Sequence, residues 1–513
     1  MGELDAWRAT GRRALRVARL GRQGWPLRQP PRYALTISLR DVVMLTVLAA
    51  VVLGGASAYQ VVKRDEPETY REIEDHFKYG SIGSEAGLGI PYWLWLVLPQ
   101  IFPQYLPDAG QKDAPGEGYA RLGFVYEAGH ARPIGTSIRE TLVPMQGLNC
   151  AMCHVGTVQQ TAGAPPQIIL GMPAHQFNFE GYLRFLFASV KDDNFSPDVL
   201  IPAIQQANPR FSWLDAQLYR YVVIPRTRAG LLKSSKDFSW IDDRPPMGPG
   251  RVDTFARYKQ DFGLPVKNDV GTVDLPALWN QRIRRHMWLH WDGNNNSVDE
   301  RNISAALGSG ATDTSLDRPA LQRVADWISD LQPPAFPEEK INMSLVQEGR
   351  LIYQAQCLEC HSVQGRQIGQ VVPIAEIGTD PERLNAFTSA LAEKMNTFGT
   401  GQPWKFSHFR KTNGYTNMPL DGIWLRGPFL HNGSVPTLRD LLTPPDQRPA
   451  VFYTGYSVYN YKDVGFVTSG PDAERNGHRF DTRVRGNGNG GHTYGTNLSP
   501  QEREALLEYL KTQ

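Results

Sequence analysis

Two copies of one short pattern, C-x-x-C-H, hold the residues best suited to chemistry in this chain. They are Cys150, Cys153 and His154 in the first copy, and Cys357, Cys360 and His361 in the second. Two thiols three positions apart lie on one face of a helical turn, where they can form thioethers to both vinyl groups of one porphyrin. The histidine that follows can then bind the porphyrin iron from one side. The pattern therefore predicts covalently attached haem c, and its two copies predict two haems.

Two other uses of cysteine compete with haem attachment. The chain has 4 cysteines, and the two motifs use all of them, so disulfides and a zinc site are the alternatives. Zinc sites usually combine two C-x-x-C or H-x-x-x-H halves in one tetrahedron. A histidine placed directly after the second cysteine has no role in such a site. The motifs therefore favour a di-haem protein.

The overall composition argues against a nucleic-acid-binding protein. The chain has 513 residues, a formal net charge of +2 and 21% charged residues, so there is no large basic surplus. Its length is enough for two or three domains, each with a substantial core. We therefore expect no nucleic-acid partner.

The N-terminal region combines a basic tail with an apolar run. Arginines crowd residues 1–40, and a stretch without charge follows from Val42 to Val62. This stretch is long enough for one membrane-spanning helix. The sequence thus predicts a cytoplasmic tail at 1–40, a transmembrane anchor at 41–62 and a periplasmic remainder held at the bacterial inner membrane. The alternative is a cleaved signal peptide, which would make the protein secreted.

Helices and long loops are expected in the rest of the chain. Apolar spacing predicts helices at residues 174–190, 345–356 and 499–511. The proline-rich segment 332–337 is the best domain boundary. We therefore predict a mainly α fold with two cytochrome c-like haem domains, at 63–335 and 336–513, preceded by the transmembrane helix.

Two further segments resemble the bacterial di-haem cytochrome c peroxidase superfamily. Residues 289–301 contain L-H-W-D-G-N and resemble the F-W-D-G-R segment of these enzymes. Residues 422–438 contain P-F-L-H-N-G-S-V-P-T-L and resemble their C-terminal H-D-G-S-V segment. The order of the four motifs also matches. The same superfamily includes the enzyme that matures methylamine dehydrogenase and the rubber oxygenases, and the second segment is most similar to the oxygenase branch.

The resemblance implies a division of work between two haems. Peroxide or dioxygen would react at the N-terminal haem, and the C-terminal haem would relay electrons from a donor cytochrome or cupredoxin. The tryptophan that lies between the haems in that superfamily corresponds to Trp291, which is the implied catalytic residue; a buried core aromatic is the alternative. The implied function is that of a periplasmic cytochrome c peroxidase-like oxidoreductase.

The axial ligands of the iron atoms follow partly from the motifs and partly from the resemblance. His154 and His361 complete their motifs and are the predicted proximal ligands. For the opposite side of the second haem the resemblance implies His431, and Met418, in a Met-Pro pair, is the alternative. His175 is the candidate sixth ligand of the first haem. Without it, that iron would be open to an oxidant.

Two alternative functions stay open. The peroxidases carry an acid–base glutamate beyond the tryptophan, where residues 308–313 of this chain offer none. This difference favours a rubber-oxygenase-like dioxygenase acting on an apolar substrate. The other alternative is a non-enzymatic, membrane-tethered electron carrier in which both irons are six-coordinate.

Overall fold

The computed structural model describes residues 38–63, 65–109, 116–266 and 268–513. The chain divides into two units, Met1–Val61 and Val62–Gln513, and the second contains both C-x-x-C-H motifs. The basic tail predicted at 1–40 lies, apart from its last three residues, outside the described residues.

The predicted transmembrane anchor is corrected by the structure. Residues 41–62 fall within helix α1 (Leu39–Lys63). A membrane-spanning helix needs about 20 consecutive, predominantly apolar residues. Within the described ranges, no helix has both the length and the apolar character to cross a membrane. The anchor at 41–62, and the anchored periplasmic location derived from it, are therefore wrong.

Helices form most of the regular structure of the unit Val62–Gln513. They are α2 (Ile73–Tyr79), α3 (Glu85–Leu88), α4 (Tyr92–Ile101), α5 (Phe179–Lys191), α6 (Pro197–Ala207), α7 (Trp213–Leu218), α8 (Ile224–Asp237), α9 (Ala256–Asp261), α10 (Val298–Gly308), α11 (Arg318–Asp330), α12 (Met343–Gln356), α13 (Leu358–His361), α14 (Ile374–Ile377), α15 (Glu382–Ala386), α16 (Ser389–Met395), α17 (Leu438–Leu441), α18 (Pro471–Asn476) and α19 (Pro500–Leu510). The three predicted helices are confirmed as α5, α12 and α19. Helix α5 starts later than predicted because the Asn178 side chain caps it, accepting a hydrogen bond from the amide of Gly181 at 2.8 Å.

Short antiparallel strands connect the helices. They are β1 (Glu66–Pro67), β2 (Ile90–Pro91), β3 (Thr136–Glu140), β4 (Pro144–Leu148), β5 (Val155–Val158), β6 (Gln167–Leu170), β7 (Arg251–Asp253), β8 (Thr272–Asp274), β9 (Val371–Pro373), β10 (Gly414–Thr416), β11 (Val451–Thr454), β12 (Tyr459–Asn460), β13 (Gly465–Phe466) and β14 (His478–Asp481). One sheet has the strand order β1-β3-β4-β2, and the other strands pair as β5-β6, β7-β8, β9-β10, β11-β14 and β12-β13. None exceeds five residues, so the sequence shows no clear alternation.

The core is divided among several clusters of buried side chains. Leu94, Trp95 and Leu98 of the apolar helix α4 are fully buried and pack with residues of α5 and α6. A second cluster includes Leu506 and Leu507 of α19 together with Trp424. The apolar segment around α4 is therefore part of the protein interior.

The residues of the two predicted haem domains, 63–335 and 336–513, are called the first and second halves of the unit Val62–Gln513. Each half contains one of two equivalent loops. Residues 289–295 and 429–435 are each closed by an antiparallel bridge between their first and last residues. The second residue of each loop has a left-handed backbone, with φ of 64° in the first loop and 68° in the second. Trp291 and His431 are the third residues of these loops, so they occupy equivalent positions.

The two loops make reciprocal contacts with the opposite halves. The carbonyl of Trp291 accepts a hydrogen bond from the amide of Thr416, in β10, at 2.9 Å. The carbonyl of His431 accepts one from the amide of Asp274, in β8, at 2.8 Å. The two halves are thus joined within one unit, and the domain boundary near residue 335 stays a prediction.

Candidate haem-binding cavity

Both C-x-x-C-H motifs open into one large cavity. Its volume is about 1040 Å³, just above the roughly 300–1,000 Å³ range of ordinary ligand pockets. Its wall includes the motif residues Cys150, Cys153, His154, Cys357, Cys360 and His361. Trp291, Met418 and His431 also line it, whereas His175 does not. The fold therefore brings together nearly every residue that the sequence analysis singled out.

Short helical segments present the cysteines to the cavity. The first motif begins with the 3₁₀ turn Cys150–Met152. Asn149 caps this turn, because its side-chain oxygen accepts a hydrogen bond from the amide of Ala151 at 3.0 Å. The second motif continues from α12 into α13, so its cysteines and histidine lie on about one helical turn.

Each motif histidine is held through its Nδ1 atom. Nδ1 of His154 lies 2.8 Å from the carbonyl oxygen of Pro276, and Nδ1 of His361 lies 2.8 Å from that of Met418. Since a carbonyl only accepts, Nδ1 carries the proton and Nε2 keeps its lone pair for a metal. Burial lowers the pKa of His154 to about 4 and also lowers that of His361, so both rings are neutral, as metal ligation requires.

The contact between a motif histidine and a backbone carbonyl also has the same position in both halves, so the equivalence of the two loops extends to it. Pro276 follows β8 by two residues, and Met418 follows β10 by two residues. The same two strands bind the loops that carry Trp291 and His431. Each half therefore presents its motif histidine with the same local support.

A histidine that the sequence analysis missed faces His361. His492 lines the cavity, and its ring centre lies 6.3 Å from that of His361. Two imidazoles that bind one metal atom from opposite sides have ring centres about 6 Å apart, because each metal–nitrogen bond is about 2 Å long. Burial lowers the pKa of His492 to about 3, and its buried Nδ1 atom has no hydrogen-bond partner. The pair is therefore spaced as two axial ligands of one haem.

Arg448 fixes the loop that carries His492. Its guanidinium donates hydrogen bonds to the carbonyls of Thr443 (3.1 Å), Asn489 (2.6 Å), Gly491 (2.9 Å), Leu441 (3.2 Å) and His492 (3.1 Å). The side chain is buried, and burial lowers its pKa to about 10. A charged donor of fixed shape thus holds the Gly-rich loop to the end of α17.

His431 and Met418, the predicted ligands on the side opposite His361, line the cavity and also contact other residues. Nε2 of His431 lies 2.9 Å from the hydroxyl of Tyr415, and the two rings stack with centres 4.0 Å apart. The same hydroxyl donates to the carbonyl of Asp380 at 2.7 Å, so the His431 ring is the donor to Tyr415. Met418 supports His361 through its own carbonyl. Neither residue faces His361 as His492 does.

His175 lies away from the cavity. Its Nε2 atom donates to the carbonyl of Thr157 at 2.9 Å, and its ring stacks on Phe466 with centres 3.8 Å apart. Burial lowers its pKa to about 4. Among the described residues, no second histidine ring contacts His154 in the way that His492 faces His361.

Trp291 lies where the two halves meet. Its indole Nε1 donates to the carbonyl of Asp274 at 2.9 Å. The amide of the same Asp274 donates to the carbonyl of His431 at 2.8 Å. One residue of β8 therefore bonds to both equivalent loops, and Trp291 is fixed on the cavity wall beside the second half.

The cysteines give no support to the disulfide and zinc alternatives. All four are free thiols. Burial raises the pKa of Cys150 to about 11 and those of Cys153 and Cys357 to about 12, so these thiols are protonated at neutral pH. In the part of the chain that the structure describes, no three His, Cys, Asp or Glu side chains are grouped to hold a metal ion.

Comparisons with known proteins agree with the character of this cavity. Residues 414–453 match the family model "RoxA-like, cytochrome c-like", and this segment includes β10, the loop of His431 and Arg448. The chain is 27% identical to the uncharacterized protein y4iJ of Sinorhizobium fredii over 82% of its own length and 88% of that protein. It is 28% identical to the uncharacterized protein y4iM of the same organism over 47% of its own length and 64% of that protein. The match at residues 414–453 identifies a RoxA-like cytochrome c segment, which implies a haem c and supports a haem-based oxidoreductase.

Proposed function

We propose that this protein is a di-haem c-type oxidoreductase in which electrons enter at the C-terminal haem and hydrogen peroxide or dioxygen reacts at the N-terminal haem. The single observation that carries the proposal is the asymmetry of the cavity. His361 faces His492, whereas no histidine ring among the described residues faces His154. A haem held by both His361 and His492 would suit electron relay, and a haem held by His154 alone would suit binding of an oxidant.

The chain offers the residues that two haems need. Those expected to hold the first haem are Cys150, Cys153 and His154, and those expected to hold the second are Cys357, Cys360, His361 and His492. Haem iron supplies one-electron redox chemistry and a coordination position for the oxidant. The protein supplies orientation, neutral histidines and the cavity itself. The equivalent supports of His154 and His361 favour two haems over one.

Trp291 is the proposed relay residue between the two halves. Its indole lies on the cavity wall and is bonded to Asp274, which also contacts the loop of His431. An aromatic ring at this junction is well placed to carry an electron from the second haem toward the first. The donor to the second haem is proposed to be a small cytochrome or cupredoxin.

A dioxygenase that acts on an apolar substrate is the second candidate. Beyond the first motif the cavity extends along α5 and α8, where its wall contains Leu183, Phe187, Leu231, Phe238 and Trp240. Gly230 lines this part and is exposed, with open space where a side chain would stand. Peroxide alone needs no such space, whereas an apolar substrate does. The apolar helix α4 gives no further support, because it is packed in the core.

Haem content and spin state test the proposal. A pyridine haemochrome assay should give two haems c per chain, and electron paramagnetic resonance of the oxidised protein should show one low-spin and one high-spin centre. Cyanide should convert the high-spin signal. A single haem per chain, or two low-spin centres that ignore cyanide even when half reduced, would overturn the proposal.

Turnover then separates the two candidates. A peroxidase consumes hydrogen peroxide together with a reduced cytochrome, whereas the dioxygenase consumes dioxygen together with an alkene. The double variants Cys150→Ser/Cys153→Ser and Cys357→Ser/Cys360→Ser each remove one attachment site. The first should abolish the high-spin signal and the second the low-spin signal.

A further inference from the structure

Arg301 lines the cavity and has no carboxylate partner among the described residues. Its guanidinium donates to the side-chain oxygens of Gln281 at 2.5 Å and of Asn302 at 2.7 Å, which are both neutral amides. Burial and the nearby Arg284 lower its pKa to about 10, so it stays charged at neutral pH. Arg301 is half-buried, and a cation drawn partly out of water without a counter-charge is unfavourable unless a ligand supplies one.

Three other arginines on the cavity wall are paired with carboxylates. Arg284 and Arg426 share Asp421 at 2.5 and 2.8 Å, and Arg383 pairs with Asp292 at 3.0 Å. Arg251 is not in an ion pair: it donates to the carbonyl of Met247 at 3.0 Å and to the side-chain oxygen of Asn487 at 2.7 Å, and Asp274 and Asp380 attract it electrostatically. Arg301 therefore differs from Arg284, Arg383 and Arg426 in having positive charge to spare for a ligand.

Because the two halves share the same local structure, Arg301 of the first half has an equivalent residue in the second half. Ser297 caps α10 and Thr437 caps α17, and each cap comes two residues after its closed loop. Arg301 and Leu441 each follow their cap by four residues, and both line the cavity. The position is therefore charged in the first half and apolar in the second.

The same equivalence indicates the side of the first haem that Arg301 faces. In the second half, the carbonyl of Leu441 binds Arg448, which also binds the carbonyl of His492. Leu441 thus shares a support with His492, which faces His361. By the repeat, the position of Arg301 would correspond to the side opposite His154, where the first half has no equivalent of His492 in the described residues.

We propose that Arg301 is an anion-binding residue of the first haem site, on the side opposite His154. Its ligand would be a small anion drawn into the first haem site, such as hydroperoxide from hydrogen peroxide; a carboxylate of the haem itself is the other source of the same chemistry. The inference rests on the proposed function, because it requires a haem at Cys150 and Cys153. At the equivalent position of the second half, Leu441 has no charge to bind an anion. This agrees with the proposal that the neutral His492 is the ligand there.

Azide, titrated into the oxidised protein, is the probe. Arg301→Gln should weaken azide binding at the high-spin haem by about tenfold or more, because a charge-assisted hydrogen bond is lost. Arg301→Lys, which keeps the charge, should lie between this variant and the parent. Arg282→Gln is the matched control, because Arg282 is exposed, pairs with Asp330 and does not line the cavity.

The reduction potential of the first haem separates the two anion sources. Unchanged azide affinity with a lower potential in Arg301→Gln would assign the site to a haem carboxylate and still support the proposal. If neither quantity differs from the Arg282→Gln control, the proposal is overturned. A parent protein with fewer than two haems would instead defeat the proposed function, so the two failures are distinguishable.

Discussion

At the scale of single residues, His492 is the proposed second ligand of the C-terminal haem. If it is an axial ligand, His492→Ala should convert the low-spin haem to a high-spin haem that binds cyanide, because one strong-field nitrogen is lost. His431→Ala is the matched control, since this ring is bonded to Tyr415, and it should leave the low-spin signal in place. Electron paramagnetic resonance of both variants checks the result.

The reverse pattern would contradict the assignment of His492. If the low-spin signal is retained in His492→Ala and lost in His431→Ala, the ligand is His431 of the H-N-G-S-V loop. A low content of free thiols and retained haem absorption would show that both variants still carry the cofactor.

The sequence predicted the residues whose chemistry depends on local spacing. A C-x-x-C-H motif contains both thiols and the histidine within five positions, so no tertiary information is needed to recognise it. His492 instead follows a Gly- and Asn-rich loop, residues 486–491, that has no periodicity. It meets His361 only through the folding of the whole second half. His431 lies in a strong motif, but that motif builds a loop equivalent to the one of Trp291.

At the level of elements, the loop that carries His492 has little regular structure of its own. The Arg448 guanidinium bonds to its carbonyls and to those at the end of α17. Because the flat guanidinium makes several bonds in fixed directions, lysine cannot replace it. The position of His492 therefore depends on the side chain of Arg448, which does not line the cavity.

We expect Arg448→Lys to loosen this loop without removing the haem. Part of the second haem should become high-spin, with an unfolding free energy lowered by about 2–4 kcal/mol from the lost buried hydrogen bonds. Spin state measured against temperature checks the effect, because a loosened ligand should dissociate on warming. Arg439→Lys serves as the control, since Arg439 pairs with Asp463 and Glu504 and does not line the cavity. An unchanged low-spin signal in Arg448→Lys would contradict a positioning role.

Helices were predictable where a cap and an apolar face coincide. Helix α19 has both, with a capping box between Ser499 and Glu502. The strands were not predictable, because pairs such as β7-β8 and β9-β10 have three residues each and gain their partners from distant segments. These short strands nevertheless place the carbonyls that hold His154 and His361. The supporting framework of the site was therefore the part least visible in the sequence.

At the scale of the whole molecule, the halves depend on each other. Asp292, directly after Trp291, forms a buried ion pair with Arg383 of the second half at 3.0 Å. Asp421 of the second half likewise binds Arg284 of the first at 2.5 Å. A linear sequence indicates two domains in series, whereas these pairs join residues about a hundred positions apart. Removing either aspartate would leave a buried arginine, Arg383 or Arg284, without its carboxylate partner.

His175 adds a pH-sensitive contact to this junction. It belongs to the first half, stacks on Phe466 of the second half, and is 2% exposed. Burial lowers its pKa from 6.5 to about 4. Between these two values the unfolded chain binds a proton that the folded protein does not, so stability falls as the pH falls. The loss is complete near pH 4, and it amounts to about 3 kcal/mol.

We therefore expect His175→Gln to remove part of the acid sensitivity of the protein. The amide can still donate to the carbonyl of Thr157, but it does not titrate. Urea unfolding at pH 7.5 and pH 4.5 should show a smaller loss of stability in the variant than in the parent, by up to about 3 kcal/mol. His286→Gln is the control, because His286 is exposed, and its loss should equal that of the parent. If His175→Gln loses as much stability on acidification as the parent does, another group controls the acid response of the junction.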